Sequence, residues 1–229
     1  MARVLGILWL ATFVTSIVAV LLYRPMLHGH GYITSGGHDT RIALGALLEL
    51  LLIIANIGTA VLPYSIFKRQ SERLALGYVA ARIMECVFIA IGLLSLMAVV
   101  TLRQDIGGPG SDPASLDTVG RALVAVRDWT FALGPGFVVG IGNGLILGII
   151  MYRSRLLPRP MVWLGLIGGP LIILSGAAVL LDIIDLGSVA QGVATAPEFL
   201  WELSIGLYLT FKGFKPAPIL DKRIKPSIS

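Results

Sequence analysis

Charge is scarce in this chain. Of its 229 residues only 14% are Asp, Glu, Lys or Arg, while 56% are hydrophobic. Soluble domains carry roughly 25% charged residues, so a water-bathed globular domain is excluded. Cysteine is almost missing too: the single Cys86 lies inside an apolar run, so no intrachain disulfide can form and the redox compartment is not encoded. The commonest catalytic templates are absent. No H-E-x-x-H, C-x-x-C or G-x-S-x-G occurs, which removes the usual zinc-protease, redox and serine-hydrolase chemistries. No aromatic or groove-reading motif accompanies the net charge of +5, so nucleic acid is not an expected partner. No cofactor fingerprint and no aspartate-rich diphosphate motif appears. The GIGNG stretch at residues 140–144 has the look of a glycine loop, yet no strand precedes it and no Lys follows it, so it cradles no phosphate.

What the chain has is long apolar runs. A hydrocarbon core about 30 Å thick needs about 20 helical residues to cross it, and six segments qualify, near residues 4–23, 42–67, 74–101, 127–152, 161–182 and 197–211. They predict an all-α, polytopic six-helix transmembrane bundle forming a single integral membrane domain over residues 1–229. A closed β-barrel would alternate polar and apolar residues, and these runs are continuous. The first run is longer than a signal-peptide core and is followed by no A-x-A-like site, so it reads as a spanning helix. Lys68, Arg69 and Arg73 separate segments two and three, Arg153, Arg155 and Arg159 separate four and five, and Lys212, Lys215, Lys222, Arg223 and Lys225 follow the sixth. By the positive-inside rule both termini are cytoplasmic, the protein is a multi-pass protein of the cell membrane, and membrane lipids are the partners of its basic ends.

The cytoplasmic links KRQSER and RSRLLPRP are short enough to force antiparallel neighbours. The outer loops are longer, and residues 115–126 read as a short amphipathic surface helix. His28, His30 and His38, with Asp39, stand in the first outer loop. Their spacing matches no established ligand set, so no metal site is expected. Trp9 and Trp163 near the cytoplasmic ends, and Trp129 and Trp201 near the outer ends, read as interfacial anchors. Gly136, Gly140, Gly144 and Gly148 recur every four residues, a ridge that suits close helix packing within the chain or docking of a homo- or hetero-oligomeric partner.

The spans contain polar residues that hydrocarbon does not tolerate cheaply. A charge at the bilayer centre costs about 2.5–3.5 kcal/mol on insertion scales and needs a partner or a wet cavity. Glu49, Asn56 and Pro63 share one face of the second segment. Arg82 and Glu85, within YVAARIMECVF at residues 78–88, stand three apart near the middle of the third, and Glu202 lies in the outer half of the sixth. If Glu49, Glu85 and Glu202 converge on Arg82, acid is in surplus and the excess holds a proton or attracts a cation. Asp128, Asp182, Asp185 and Glu198 extend the polar zone outward, or are simply solvated helix ends. The candidate ligand-binding residues are therefore Glu49, Asn56, Arg82, Glu85, Asp128, Trp129, Trp201 and Glu202. Glu85 and Glu202 are the candidate catalytic acids.

Three blocks, LGYVAARIMECVF from Leu76, YRSRLLPRPMVWLGLIGGPL from Tyr152 and APEFLWELSIGLYLTFKGF from Ala196, together resemble the bacterial multi-pass membrane family known as domain of unknown function 4386. The resemblance covers essentially the whole chain and implies a fold and topology without a mechanism. Three functions remain open. The first is a membrane protein whose acid-rich pocket binds or moves a small or lipid-like ligand, with proton coupling. The others are a membrane-embedded enzyme acting on an isoprenoid or lipid through a Glu general acid, and an accessory subunit held by the glycine ridge.

Overall fold

The computed structural model describes residues 1–27, 32, 39–106 and 112–221, and among these every regular element is a helix. Helix α1 spans Ala2–Leu27 and α2 spans Asp39–Val61. A single turn, α3 (Tyr64–Phe67), leads into the longest rod, α4 (Glu72–Gln104). Next, α5 (Pro113–Leu133) runs without a break into two π-helical segments, Gly134–Val138 and Gly140–Leu147, and then into α6 (Gly148–Ser154). Helices α7 (Arg159–Leu180) and α8 (Val189–Phe211) complete the bundle. Residues 115–126 are helical, as expected, but they form the start of the rod that continues through α5. His28, His30 and His38 lie outside the described residues.

Five of these rods are long and apolar enough to cross a membrane: α1, α2 with α3, α4, the rod from Pro113 to Ser154, and α7. Their outer surfaces agree with that reading. Val14, Ile54, Leu94 and Leu174 are each 62–66% exposed, and a surface of such side chains on every rod calls for lipid rather than water. Helix α8 matches the others in length, but Glu198 and Glu202 lower its hydropathy.

The rods form a ring in chain order. Each packs on the next, α1 on α2, α2 on α4, α4 on α5 and the π-helical segments, those segments on α7, and α7 on α8; contact between α8 and α1 closes the circle. Apolar clusters seal both ends. One contains Trp9, Phe67, Tyr78, Leu147 and Trp201, the other Tyr23, Ile42, Leu96 and Val99, and the polar residues lie between them.

The glycine ridge closes one side of this ring. Pro135 has no N–H to donate, and the wide turns begin beside it. In an α-helix a four-residue spacing drifts about 40° per step; a π-helix, with i to i+5 hydrogen bonds, has a longer turn and keeps that spacing closer to one line. The line faces α7. A Cβ at Gly140 would meet the Gly169 carbonyl at 2.7 Å, and one at Gly144 would strike the Gly169 backbone. A Cβ at Gly148 would meet Leu166 at 2.9 Å, whereas Gly136 meets only its own rod. The chain's own helix thus fills three of the four ridge positions.

Because backbone cannot yield as a side chain can, Gly144→Val is expected to destabilise the protein by about 1–3 kcal/mol. At Gly192 an added Cβ meets nothing within 4 Å, so Gly192→Ala should preserve or slightly raise the unfolding midpoint. Thermal unfolding of the detergent-purified variants distinguishes the two.

Candidate functional site

Arg82 is 2% exposed, which in a membrane span demands that its charge be met locally. One helical turn along α4, Glu85 supplies the counter-charge: Arg82 Nη1 donates to Glu85 Oε2 at 2.6 Å. Nη2 donates across to α2, to Asn56 Oδ1 at 2.5 Å and Thr59 Oγ1 at 3.1 Å. Asn56 Nδ2 in turn donates to Glu85 Oε1 at 3.2 Å, so both carboxylate oxygens of Glu85 accept a bond. The guanidinium also lies over the Trp9 ring, 5.1 Å from its centroid. This network ties α1, α2 and α4 together.

Glu49 does not join it. Its Oε1 accepts from Arg127 Nη2 at 2.9 Å and its Oε2 from the Tyr23 hydroxyl at 3.2 Å. Arg127 can reach α2 because Gly92 leaves the path clear: a Cβ there would lie 2.8 Å from Arg127 Cδ. The expectation that three acids converge on Arg82 is therefore corrected to two separate pairs, Glu85 with Arg82 and Glu49 with Arg127. The reason is that the helix containing Arg127 begins at Pro113, which sets Arg127 well inside a continuous rod with a buried side chain.

The acid surplus sits on α8. Glu198 and Glu202 are four apart and share a face. Glu202 Oε1 accepts from Asn143 Nδ2 of the second π-helical segment. Glu198 is 2% exposed, and neither of its carboxylate oxygens has a hydrogen-bond partner. Both residues line a central cavity of about 350 Å³, to which all six rods contribute. Its charged lining consists of Glu49, Glu85, Glu198, Glu202, Arg82 and Arg127, four acids against two bases. Thr12, Ser16, Asn56, Thr130 and Thr195 add polar groups to walls that are otherwise mainly apolar, with Phe13, Phe88, Phe131 and Phe199 among them.

Five sequence-nominated residues, Glu49, Asn56, Arg82, Glu85 and Glu202, line this cavity. Asp128, Trp129 and Trp201 do not. On α5 the inward positions belong to Arg127 and Thr130, which turns Asp128 and Trp129 to the exposed side. Trp201 is fully buried and its indole N–H donates to the Asn143 carbonyl at 3.0 Å, so it acts as a packing element and not as an interfacial anchor. Trp9, beside Arg82, is likewise 1% exposed, whereas Trp129 and Trp163 keep exposed rings. Helix α8 begins at Val189, not near residue 197, which carries Trp201 and Glu202 deeper than their distance from Pro197 implies. Glu198 is correspondingly buried, while Asp182 and Asp185 are exposed where α7 leads to α8.

Arg127 and Glu198 are the two charged cavity residues that sequence reasoning missed as such; the hydroxyl residues and most aromatic residues of the wall were not singled out either. Both left a signal: Arg127 is followed at helical spacing by Thr130 and Gly134, and Glu198 precedes Glu202 by one turn. Asp39 accepts from the Tyr32 hydroxyl at 2.9 Å and pairs with Arg103, away from the cavity. Among the described residues no group of three His, Cys, Asp or Glu side chains is arranged to hold a metal.

A family described as a domain of unknown function (DUF4386) matches residues 4–213. The chain belongs to this family. The DUF4386 match takes in every cavity-lining residue and ends shortly after α8. Comparison with curated proteins and with solved structures gave no match.

Removing Arg127 leaves the Glu49 carboxylate buried without a cation, so Arg127→Leu is expected to destabilise the protein by about 3–5 kcal/mol. The combined Glu49→Leu and Arg127→Leu variant should recover much of that loss. A double-mutant cycle followed by denaturant unfolding in detergent measures the coupling.

Proposed function

We propose that this DUF4386 chain is a six-span protein of the cell membrane whose central cavity binds or moves a small or lipid-like ligand. One observation carries the reading: Glu198 holds a carboxyl group inside the bundle with no hydrogen-bond partner. Such a group costs stability, because an unpaired buried polar group forfeits its hydration without return. Glu85 and Glu49, by contrast, have both carboxylate oxygens bonded. The two acids beyond the ion pairs are neutral only when they hold protons or face a bound cation, which supports coupling of ligand binding to proton exchange. A Glu85 general acid is less well supported, since both its oxygens are engaged. An accessory subunit docked through the glycine ridge is also less well supported, since α7 covers that ridge.

The sixth span is α8. Its two acids face inward, while Leu200, Leu207 and Phe211 are exposed on its surface, so its low hydropathy reflects the cavity and not contact with water. Both termini are cytoplasmic in this reading. Gly6 packs against Thr210, Lys215 N–H donates to the Leu156 carbonyl, and Arg69 donates to the Ile219 carbonyl. These contacts gather both chain ends and the basic links at one end of the bundle, where anionic headgroups favour Lys and Arg.

Glu198→Gln is expected to raise the unfolding midpoint while abolishing retention of a copurifying small molecule in native mass spectrometry. Unchanged retention, or a fall in stability like that of a core mutant, would reject the reading. Topology is checked in a Cys86→Ser background by a membrane-impermeant maleimide on intact cells. A cysteine at Asp185 should label directly, and one at Arg155 only after lysis.

A further inference from the structure

The cavity contains more specific information about what it takes. Its two ion pairs are closed, so the charge left over is that of Glu202, on the cavity wall, and of Glu198 one turn before it, whose carboxylate is packed beside the Gly144 and Gly168 backbones at the edge of the space. We propose that the ligand is an amphipathic organic cation, a protonated or quaternary ammonium group attached to an apolar body. This rests on the cavity reading above and names the class of molecule that fills it.

Four features of the site support this class. The first is the sign of the surplus: an anion would add to two existing carboxyl groups, and a neutral hydrocarbon would leave Glu198 as it stands, buried with neither oxygen bonded. The second is the wall. Phe13 and Phe199 meet edge to face with centroids 5.1 Å apart, and both line the same cavity as the α8 acids. Aromatic faces attract ammonium groups, more strongly when water is excluded.

The third is the shortage of oxygen ligands. Calcium takes 6–8 oxygen ligands and magnesium an octahedral set rich in water, whereas the rest of this wall is mainly aliphatic and aromatic, with no three-residue metal cluster among the described residues. An ammonium needs fewer contacts because its apolar substituents are satisfied by Leu52, Ile89 and Val139. The fourth is size. A volume of about 350 Å³ falls at the lower end of the 300–1,000 Å³ typical of small-molecule pockets. It accommodates a compact organic molecule and leaves much room around a bare ion.

The test uses the full chain in a maltoside detergent, which contains no ammonium group of its own. Radiolabelled benzyltrimethylammonium is the probe in equilibrium dialysis. Its uncharged isostere neopentylbenzene, the anion 4-tert-butylbenzoate, and NaCl or CaCl₂ are the competitors. The probe should bind at least ~10-fold more tightly than neopentylbenzene, consistent with a charge-assisted contact, and neither the anion nor the salts should displace it specifically. Glu198→Gln and Glu202→Gln should each weaken the probe by ~10-fold or more. If either variant fails to fold, the ranking of the three organic probes on the wild-type protein still decides. Equal binding of the neutral isostere or the anion would overturn the cation assignment and leave the cavity reading standing. So would undiminished probe binding to both folded variants. Site-specific displacement by Na⁺ or Ca²⁺ would point to an inorganic ion and overturn it as well. Binding of none of the three organic probes would reject both the assignment and a ligand cavity of this size.

Discussion

A guanidinium in hydrocarbon is tolerable only when its charge and most of its donors are met nearby, and the Arg82 network supplies a carboxylate and two further acceptors to its terminal nitrogens, leaving Nε alone without a partner. Two of its acceptors come from α2 and one from its own helix, while the Trp9 ring of α1 covers the guanidinium. The contacts fix the depth and rotation of three rods at once. Arg127 repeats the solution between α5 and α2. With both cations bound to carboxylates, the acids left without a basic partner lie on α8. The site therefore has one half defined by ion pairs and another whose two acids have no basic partner.

Much of this was legible in the sequence where a single residue type carries a large cost. Glu49, Asn56, Arg82, Glu85 and Glu202 stood out because hydrocarbon penalises them wherever they lie along a span, and all five line the cavity. Helix ends were less legible. Residues 115–126 read as a separate surface helix and residues 189–196 fell outside the sixth segment, although both belong to the rods that continue through them. That shift in boundary displaced every depth measured from it: it placed Arg127 at a helix start, Glu198 near solvent and Trp201 at the interface. Rotation is subtler still, since one residue is 100° of helix, which is why Arg127 faces the cavity and Asp128 does not.

The glycine ridge illustrates a different limit. A four-residue repeat of small side chains shows that another backbone comes close without identifying it. Here the answer is α7, which presents Gly169 to Gly140 and Gly144. The same approach leaves a notch into which the Glu198 carboxylate projects, with Oε2 2.9 Å from where a Cβ on either Gly144 or Gly168 would stand. Close packing and the buried acid are thus parts of one arrangement: small residues make the space that an unbonded carboxyl group occupies.

The closure of the ring by α8 against α1 also divides the charge of the cavity along the chain. The rods α2, α4 and α5 contain both arginines and both of their carboxylate partners, so their share of the lining is electrically balanced by itself. Helix α8 adds two acids and no base. The imbalance of the cavity therefore belongs to one helix, and it gives the space an electrical polarity directed across the ring.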